Sequence, residues 1–277
     1  MRDGSLIRTA WIDPLSPPKA VIHILHGFAE HINHYLELAY FFAGNGYACV
    51  IHDQRGFGEM PGKTKRQRKA SQGIVSDYAS FLDDIDVIRE KIASVYPGIP
   101  LILYGHSMGG NIAASYLLKR AQEAYIKVIL ETPWLRLRKP PSGLLIVAAR
   151  LLGSISPKFS VIRKIPPEEI TRDIKKVEKA DALCDEYYHN RISLRLFTQI
   201  EDAGVEAIAG AARITAPVLL FIAGKDMLVA EGAIRAFHDN AGKNVVMEDY
   251  PDGYHSLHND IVRDQVLARM LSFCEDV

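Results

Sequence analysis

Short apolar runs alternate with helical patterns along most of the chain. Six runs, each four to seven residues long and mainly apolar, end at polar or glycine-containing turns, which predicts strands buried on both faces. They cover residues 20–25, 47–51, 101–104, 125–130, 218–222 and 244–250. Between these runs, apolar residues recur at steps of three and four, which predicts amphipathic helices. The helical patterns cover residues 34–44, 81–95, 108–121, 229–241 and 260–274.

The alternation of strands and helices predicts an α/β fold with a mostly parallel central sheet and helices on both faces. We interpret residues 1–277 as a single domain. The alternation breaks from about residue 134 to 200, where no strand is evident and Ser142–Leu152 is almost wholly apolar. This segment is too long for a plain connection. It predicts a mostly helical cap that is inserted between two strands and covers the strand ends.

Composition limits the classes of partner and location. Lys and Arg number 33, as do Asp and Glu, so the formal net charge is zero and no nucleic-acid partner is expected. No apolar run is long enough for a transmembrane helix, and no secretory signal is readable at the start. Cys49, Cys184 and Cys274 are far apart, which favours reduced thiols in a cytoplasmic protein. The basic run Lys63–Lys69 is interpreted as a loop, either solvated or docked on an anionic lipid surface.

The sharpest chemical signal is the GHSMG sequence of residues 105–109. It follows a predicted strand and opens a predicted helix, which is the context of a nucleophile elbow. The sharp turn would expose the hydroxyl of Ser107, and Gly105 and Gly109 would remove side chains that crowd it. Ser107 is therefore the predicted nucleophile.

A serine nucleophile needs a base and a group that orients the base. Asp226 follows the strand predicted at 218–222, and His255 follows the last predicted strand, in the chain order Ser, acid, His. Asp202 and Asp239 fall in helical stretches and are weaker candidates for the acid. His258 is the rival base, and its position favours the start of the last helix.

The developing oxyanion needs backbone N–H donors. Met108, directly after the nucleophile, would supply one of them. Phe28, in the loop after an early strand, would supply the other, unless it only lines the pocket. No metal site is predicted, because the closely spaced histidines at 23, 26, 31 and 34 lack HExxH spacing. No GxGxxG or Walker A sequence is present, so no cofactor is predicted.

Several motifs together resemble the monoacylglycerol lipase and lysophospholipase family of serine α/β-hydrolases. They are HGFAEH from residue 26, HDQRGFG from 52, GHSMGGN from 105, AGKDMLV from 223 and DGYHSLHND from 252. The resemblance extends from about residue 20 to 275 and includes 181–183 and 191–193, near the end of the cap.

This resemblance implies an α/β-hydrolase fold and a lid that accepts a single acyl chain. It also implies a Ser107, Asp226 and His255 triad, with Phe28 and Met108 as the oxyanion N–H donors. We therefore expect a serine carboxylic ester hydrolase that acts through an acyl-enzyme on monoacylglycerol-like or lysophospholipid-like esters.

Other functions remain open at this stage. The same triad would serve a short-chain esterase, a thioesterase or an aminopeptidase, and the fold also suits a non-catalytic ligand-binding protein. The expected partner is a small-molecule acyl ester. The apolar stretch Leu144–Leu152 of the cap is expected to pack on the sheet domain, form an acyl wall or touch a lipid surface.

Overall fold

A computed structural model describes residues 1–173, 175–176 and 187–275. The predictions for Cys184 and for residues 181–183 therefore lie outside the described residues. Nine strands are seen within these ranges. They are β1 Thr9–Ile12, β2 Val21–Leu25, β3 Ala48–His52, β4 Leu101–His106, β5 Lys127–Glu131, β6 Ser160–Ile162, β7 Arg191–Ser193, β8 Val218–Ala223 and β9 Val245–Tyr250.

Eight α-helices lie in the described part of the chain, and none of these is both long and apolar enough to cross a membrane. They are α1 Leu36–Gly44, α2 Lys65–Ser71, α3 Ala79–Val95, α4 Met108–Lys119, α5 Gly143–Ile155, α6 Leu194–Gly210, α7 Glu231–Asn240 and α8 Arg263–Glu275.

Helix α2 corrects the prediction of a loop at Lys63–Lys69. The Thr64 side chain accepts a hydrogen bond from the backbone of Gln67, and the Gln67 side chain accepts one from the backbone of Thr64. This capping box satisfies backbone N–H groups at the start of the helix. The basic residues therefore lie on a short capped helix.

Seven strands form one sheet in the order β1-β3-β2-β4-β5-β8-β9, parallel throughout except for β1, which pairs antiparallel with β3. Alternate residues of β2 belong to different cores: Val21 and Leu25 pack with α3 and α4, and Ile22 and Ile24 with α1 and α8. Both faces of the sheet are thus covered by helices, as the near-continuous apolar runs predicted.

The segment between β5 and β8 contains α5, the antiparallel pair β6–β7, and α6. The prediction that no strand lies between about 134 and 200 is wrong, because strands of three residues are too short to give a periodic pattern. Helix α6 packs against α4 and α5, and the amide of Asn111 donates to the carbonyl of Ile200 at 3.1 Å.

Candidate active site

Ser107 lies in the turn between β4 and α4, at the carboxyl edge of the parallel sheet. Its backbone has φ of 53° and ψ of −116°, a left-handed conformation that is strained for a residue with a side chain. A Cβ at Gly109 would lie 2.1 Å from the carbonyl oxygen of Leu25, so only glycine permits this close approach to β2. The predicted sharp turn is therefore present.

Three side chains that are far apart in sequence meet at this turn. The Nε2 atom of His255 lies 2.9 Å from the hydroxyl of Ser107, and its Nδ1 lies 2.7 Å from Asp226 Oδ2. All three residues are buried. The other carboxylate oxygen of Asp226 accepts the backbone N–H groups of Leu228 and Val229, which fixes the orientation of the carboxylate. This arrangement can remove a proton from the hydroxyl and support the resulting imidazolium.

The two predicted oxyanion donors flank the same turn. Met108 is the first residue of α4, so its N–H has no partner within the helix. The N–H of Phe28 makes no hydrogen bond with any described residue, and Phe28 lines the same cavity as Ser107 and His255. The Phe28 ring is buried edge-on against the rings of Phe57 and Trp134.

His258 lies close to His255 but has a different partner. The sequence placed it at the start of the last helix, but it lies in a short 3₁₀ helix, Leu257–Asn259, and the last helix begins at Arg263. Its Nδ1 is 2.8 Å from Glu131 Oε1, and its backbone N–H donates to the same oxygen. Burial alone would raise the pKa of Glu131, but the neighbouring His258 lowers that pKa to about 2.

A second buried network lies beside the Ser107 turn and was not found from the sequence. Glu30, Tyr35 and His106 contact one another, and His106 also approaches the carbonyl of His255. Glu30 and His106 stand inside motifs that the sequence singled out, HGFAEH and GHSMGGN. These two residues are 76 positions apart in the sequence, and no sequence pattern predicts a contact over such a separation.

The remaining candidates of the sequence lie elsewhere. Asp202 is in α6 with an ion pair to Arg150, and Asp239 is in α7. Among the described residues, no group of three or more His, Cys, Asp or Glu side chains is arranged to hold a metal ion. His23 instead contacts Tyr125 and His52.

A cavity of about 350 Å³ opens above Ser107 and His255, and we call it the serine cavity. The segment between β5 and β8 supplies Ile165, Pro167 and Ile170 to its wall. Polar side chains also line it. Apart from Ser107 and His255, they are Glu30, Asn33, His34, Glu37, His106, Thr171, Lys176, Tyr188, Ser256 and Asn259.

A second, mainly apolar cavity of about 550 Å³ lies beneath α5, and we call it the α5 cavity. Leu145, Ala149 and Leu152 of α5 line it, together with Phe197. Phe28 lines both cavities. The apolar stretch predicted as an acyl wall therefore borders the α5 cavity rather than the serine cavity.

Comparison with known proteins agrees with this architecture. A family model described as serine aminopeptidase, S33, matches residues 16–261. A monoacylglycerol lipase of Mycolicibacterium smegmatis is 28% identical over 263 residues, covering 94% of this chain and 89% of that protein. Phospholipase YtpA of Bacillus subtilis is 26% identical over 272 residues, covering 96% and 98%.

A solved structure gives the same fold. A soluble variant of monoglyceride lipase from Saccharomyces cerevisiae, in complex with a substrate analogue, superposes with a TM-score of 0.85 at 20% identity. The match covers 99% of this chain and 92% of that one. The fold is therefore the α/β-hydrolase fold that the sequence motifs implied.

Proposed function

The chain belongs to the serine aminopeptidase S33 family of hydrolases and is a serine ester hydrolase, and we propose that it cleaves monoacylglycerol-like or lysophospholipid-like esters. The observation that carries this proposal is that His255 is hydrogen-bonded to both Ser107 and Asp226, and that Ser107 and His255 line the serine cavity. Relatives described as a monoacylglycerol lipase and a phospholipase support the substrate class.

In the proposed reaction, the Ser107 oxygen attacks the ester carbonyl while His255 Nε2 takes the hydroxyl proton. His255 then passes this proton to the leaving alcohol as the ester C–O bond breaks, which leaves an acyl-enzyme. A water molecule attacks the acyl carbonyl with His255 as base, and the carboxylic acid and free Ser107 result. Asp226 holds the imidazole in the tautomer that this cycle needs.

The N–H groups of Phe28 and Met108 are proposed to bind the oxyanion of each tetrahedral intermediate. Both groups are backbone donors held by the fold, so they need no reorganisation when the negative charge develops. Their free N–H groups on either side of the Ser107 turn support this assignment.

The two cavities suggest where the alcohol and the acyl chain of an ester bind. We assign the alcohol to the serine cavity, where Asn33, Asn259 and Lys176 offer polar contacts. We assign a long acyl chain to the α5 cavity, whose lining is mainly apolar. Burial of each methylene group there contributes about 0.8 kcal/mol.

The segment of about residues 134–200 is proposed to act as the cap, and its outer face to touch a lipid surface. Leu144, Leu151 and Ile155 are spaced by seven and four residues along α5, so they share one helix face. All three are exposed. An exposed apolar face of this kind marks an interaction site, and a lipid surface would supply the substrate.

A short-chain esterase is the second candidate, and one observation favours it. Phe28 lines both the serine cavity and the α5 cavity, and its ring packs edge-on against Trp134, so an acyl group that does not pass this ring has only the serine cavity to occupy. A panel of p-nitrophenyl esters from two to sixteen carbons, with monoacylglycerols and lysophospholipids beside it, distinguishes the two. Rates that climb with chain length support the proposed function, and a maximum at two carbons moves it to the second candidate.

A further inference from the structure

Both ring nitrogens of the buried His106 face groups that accept hydrogen bonds. Its Nε2 lies 3.3 Å from the carbonyl oxygen of His255, which can only accept. Its Nδ1 lies 2.9 Å from the hydroxyl of Tyr35 and 3.4 Å from Glu30 Oε2. The Tyr35 hydroxyl has one proton and donates it to Glu30 Oε2 at 2.5 Å, so it is an acceptor towards His106.

A neutral imidazole carries one N–H and cannot donate from both nitrogens. The contacts of His106 are therefore satisfied together only by the doubly protonated ring. The positive charge of that ring lies next to the carboxylate of Glu30, which compensates it inside the protein.

Glu30 connects this charge to the loop of the proposed oxyanion hole. Its Oε2 atom accepts the backbone N–H of Gly27 at 2.6 Å, and Gly27 directly precedes Phe28. A Cβ at residue 27 would lie 2.5 Å from the same oxygen, so a residue with a side chain could not approach the carboxylate this closely. The position of the Phe28 N–H therefore depends on the position of Glu30.

The other end of the network reaches the proposed catalytic histidine. The carbonyl of His255 accepts hydrogen bonds from Thr132 Oγ1 at 2.8 Å and from His106 Nε2. Two donors on one carbonyl restrict the backbone of His255 and hence the direction of its ring.

We propose that Glu30 and doubly protonated His106 are positioning residues that tie the Phe28 loop to the backbone of His255, so that the oxyanion donor and the base keep one fixed relation to Ser107. This inference rests on the proposed function, because it takes Ser107, His255 and Phe28 in the roles assigned above. Neither Glu30 nor His106 is given a step in the chemistry.

The charges around His106 are consistent with this state. Burial alone would lower the pKa of His106, but Glu30 raises it to about 9, and Glu131 at the end of β5 adds to the effect. The rings of His255 and His258 face His106 at centroid distances of 4.9 and 5.2 Å. Above about pH 9 the ring loses a proton and can no longer donate hydrogen bonds from both nitrogens.

The test is the pH dependence of the rate at which a fluorophosphonate labels Ser107, measured from pH 5.5 to 10.5. At alkaline pH, the labelling rate of the parent is expected to fall only above about pH 9. In Glu30→Gln the carboxylate is gone, so the fall should begin about 1–3 pH units lower. Glu59→Gln makes the same chemical change at a carboxylate paired with Arg8, and its profile should match the parent.

If the labelling rate of Glu30→Gln fell at the same alkaline pH as that of the parent, the inference would be overturned. A rate lowered equally at every pH would overturn it too, because that result indicates a purely structural role. If the parent itself is not labelled at Ser107, the proposed function fails instead. Should Glu30→Gln not fold, ¹⁵N NMR of the parent decides: both ring nitrogens of His106 should be protonated at pH 7.5, and a neutral ring contradicts the proposal.

Discussion

The carboxylate of Glu131 accepts both the ring Nδ1–H and the backbone N–H of His258, in a site where neither side chain reaches solvent. The hydroxyl of Tyr104 donates to the second carboxylate oxygen at 2.7 Å. Glu131 also lies directly under the Ser107 turn, because its carbonyl accepts the N–H of Ser107. The pair therefore supports the loop that carries His255 without touching the serine hydroxyl.

Replacing His255 and His258 one at a time should distinguish a loss of turnover from a loss of stability. His258→Ala removes the ring that pairs with the buried carboxylate of Glu131 and should lower the free energy of unfolding by about 3–5 kcal/mol. The variant that remains folded should keep turnover of the same order as the parent. His255→Ala removes the proposed base and should lower kcat roughly 10⁴-fold or more. The measurements are urea unfolding and ester hydrolysis per folded molecule.

The opposite pattern would contradict the assignment of the base. If His258→Ala were folded and inactive while His255→Ala kept its turnover, the base would be His258. His258→Gln, which retains a side-chain donor for Glu131, serves as the control for loss of stability.

Stability should also depend on acid through Glu131. Its pKa of about 2 in the folded protein lies below its ordinary value of 4.5, so the folded state binds fewer protons between these values than the unfolded state. The contribution is complete above pH 4.5 and is lost as pH falls through 2. It amounts to roughly 3 kcal/mol. Urea unfolding from pH 7 to 2.5 should show a shallower decline for Glu131→Gln than for the parent, and equal slopes would contradict this account.

The parallel strands could be predicted because burial on both faces leaves a continuous apolar run. The apolar run at 101–104 predicted β4. The serine that follows it between two glycines was the proposed nucleophile. Strand β1 was missed because Thr9–Ile12 is short, lies at the sheet edge and is only half-buried. Helix α2 was missed because its run of charges hid the capping box at Thr64 and Gln67.

The residues of the proposed triad stood at strand ends within recognisable motifs, so motif, strand end and chain order together nominated them. The network around His106 could not be predicted in this way. Its contacts with Tyr35 and with the His255 carbonyl join positions 71 and 149 residues apart, and they depend on side-chain directions that no periodicity encodes. The same holds for the bond from Thr132 to that carbonyl.

A charge in the α5 cavity should change the preference for acyl length. Leu145→Asp places a carboxylate in the apolar lining and should flatten the rise of kcat/KM with chain length, which reaches up to about fourfold per methylene. The readout is the ratio of kcat/KM for a ten-carbon ester to that for a two-carbon ester, measured below micelle-forming concentrations. Leu144→Asp is the control, because Leu144 is 80% exposed and does not line this cavity. Equal losses on both esters in Leu145→Asp would contradict the acyl assignment.

The exposed face of α5 should matter only at a lipid surface. Replacing both Leu144 and Leu151 by Ser should weaken binding to phospholipid vesicles at least about tenfold, since each leucine contributes about 1.5–3 kcal/mol when buried. Hydrolysis of a monomeric ester should stay at the parent rate. Val246→Ser alters an exposed apolar side chain on β9 and should leave vesicle binding unchanged. Vesicle sedimentation measures the effect, and equal binding by the double variant and the parent would contradict a lipid-facing role.

The central claim is that Ser107 is the nucleophile, and labelling by a fluorophosphonate with identification of the modified residue tests it most directly. The parent should carry the label on Ser107, and Ser107→Ala should fold normally, take no label and lose ester hydrolysis roughly 10⁴-fold or more. A label on another residue of the parent, or Ser107→Ala that hydrolyses esters at the parent rate, would contradict the account.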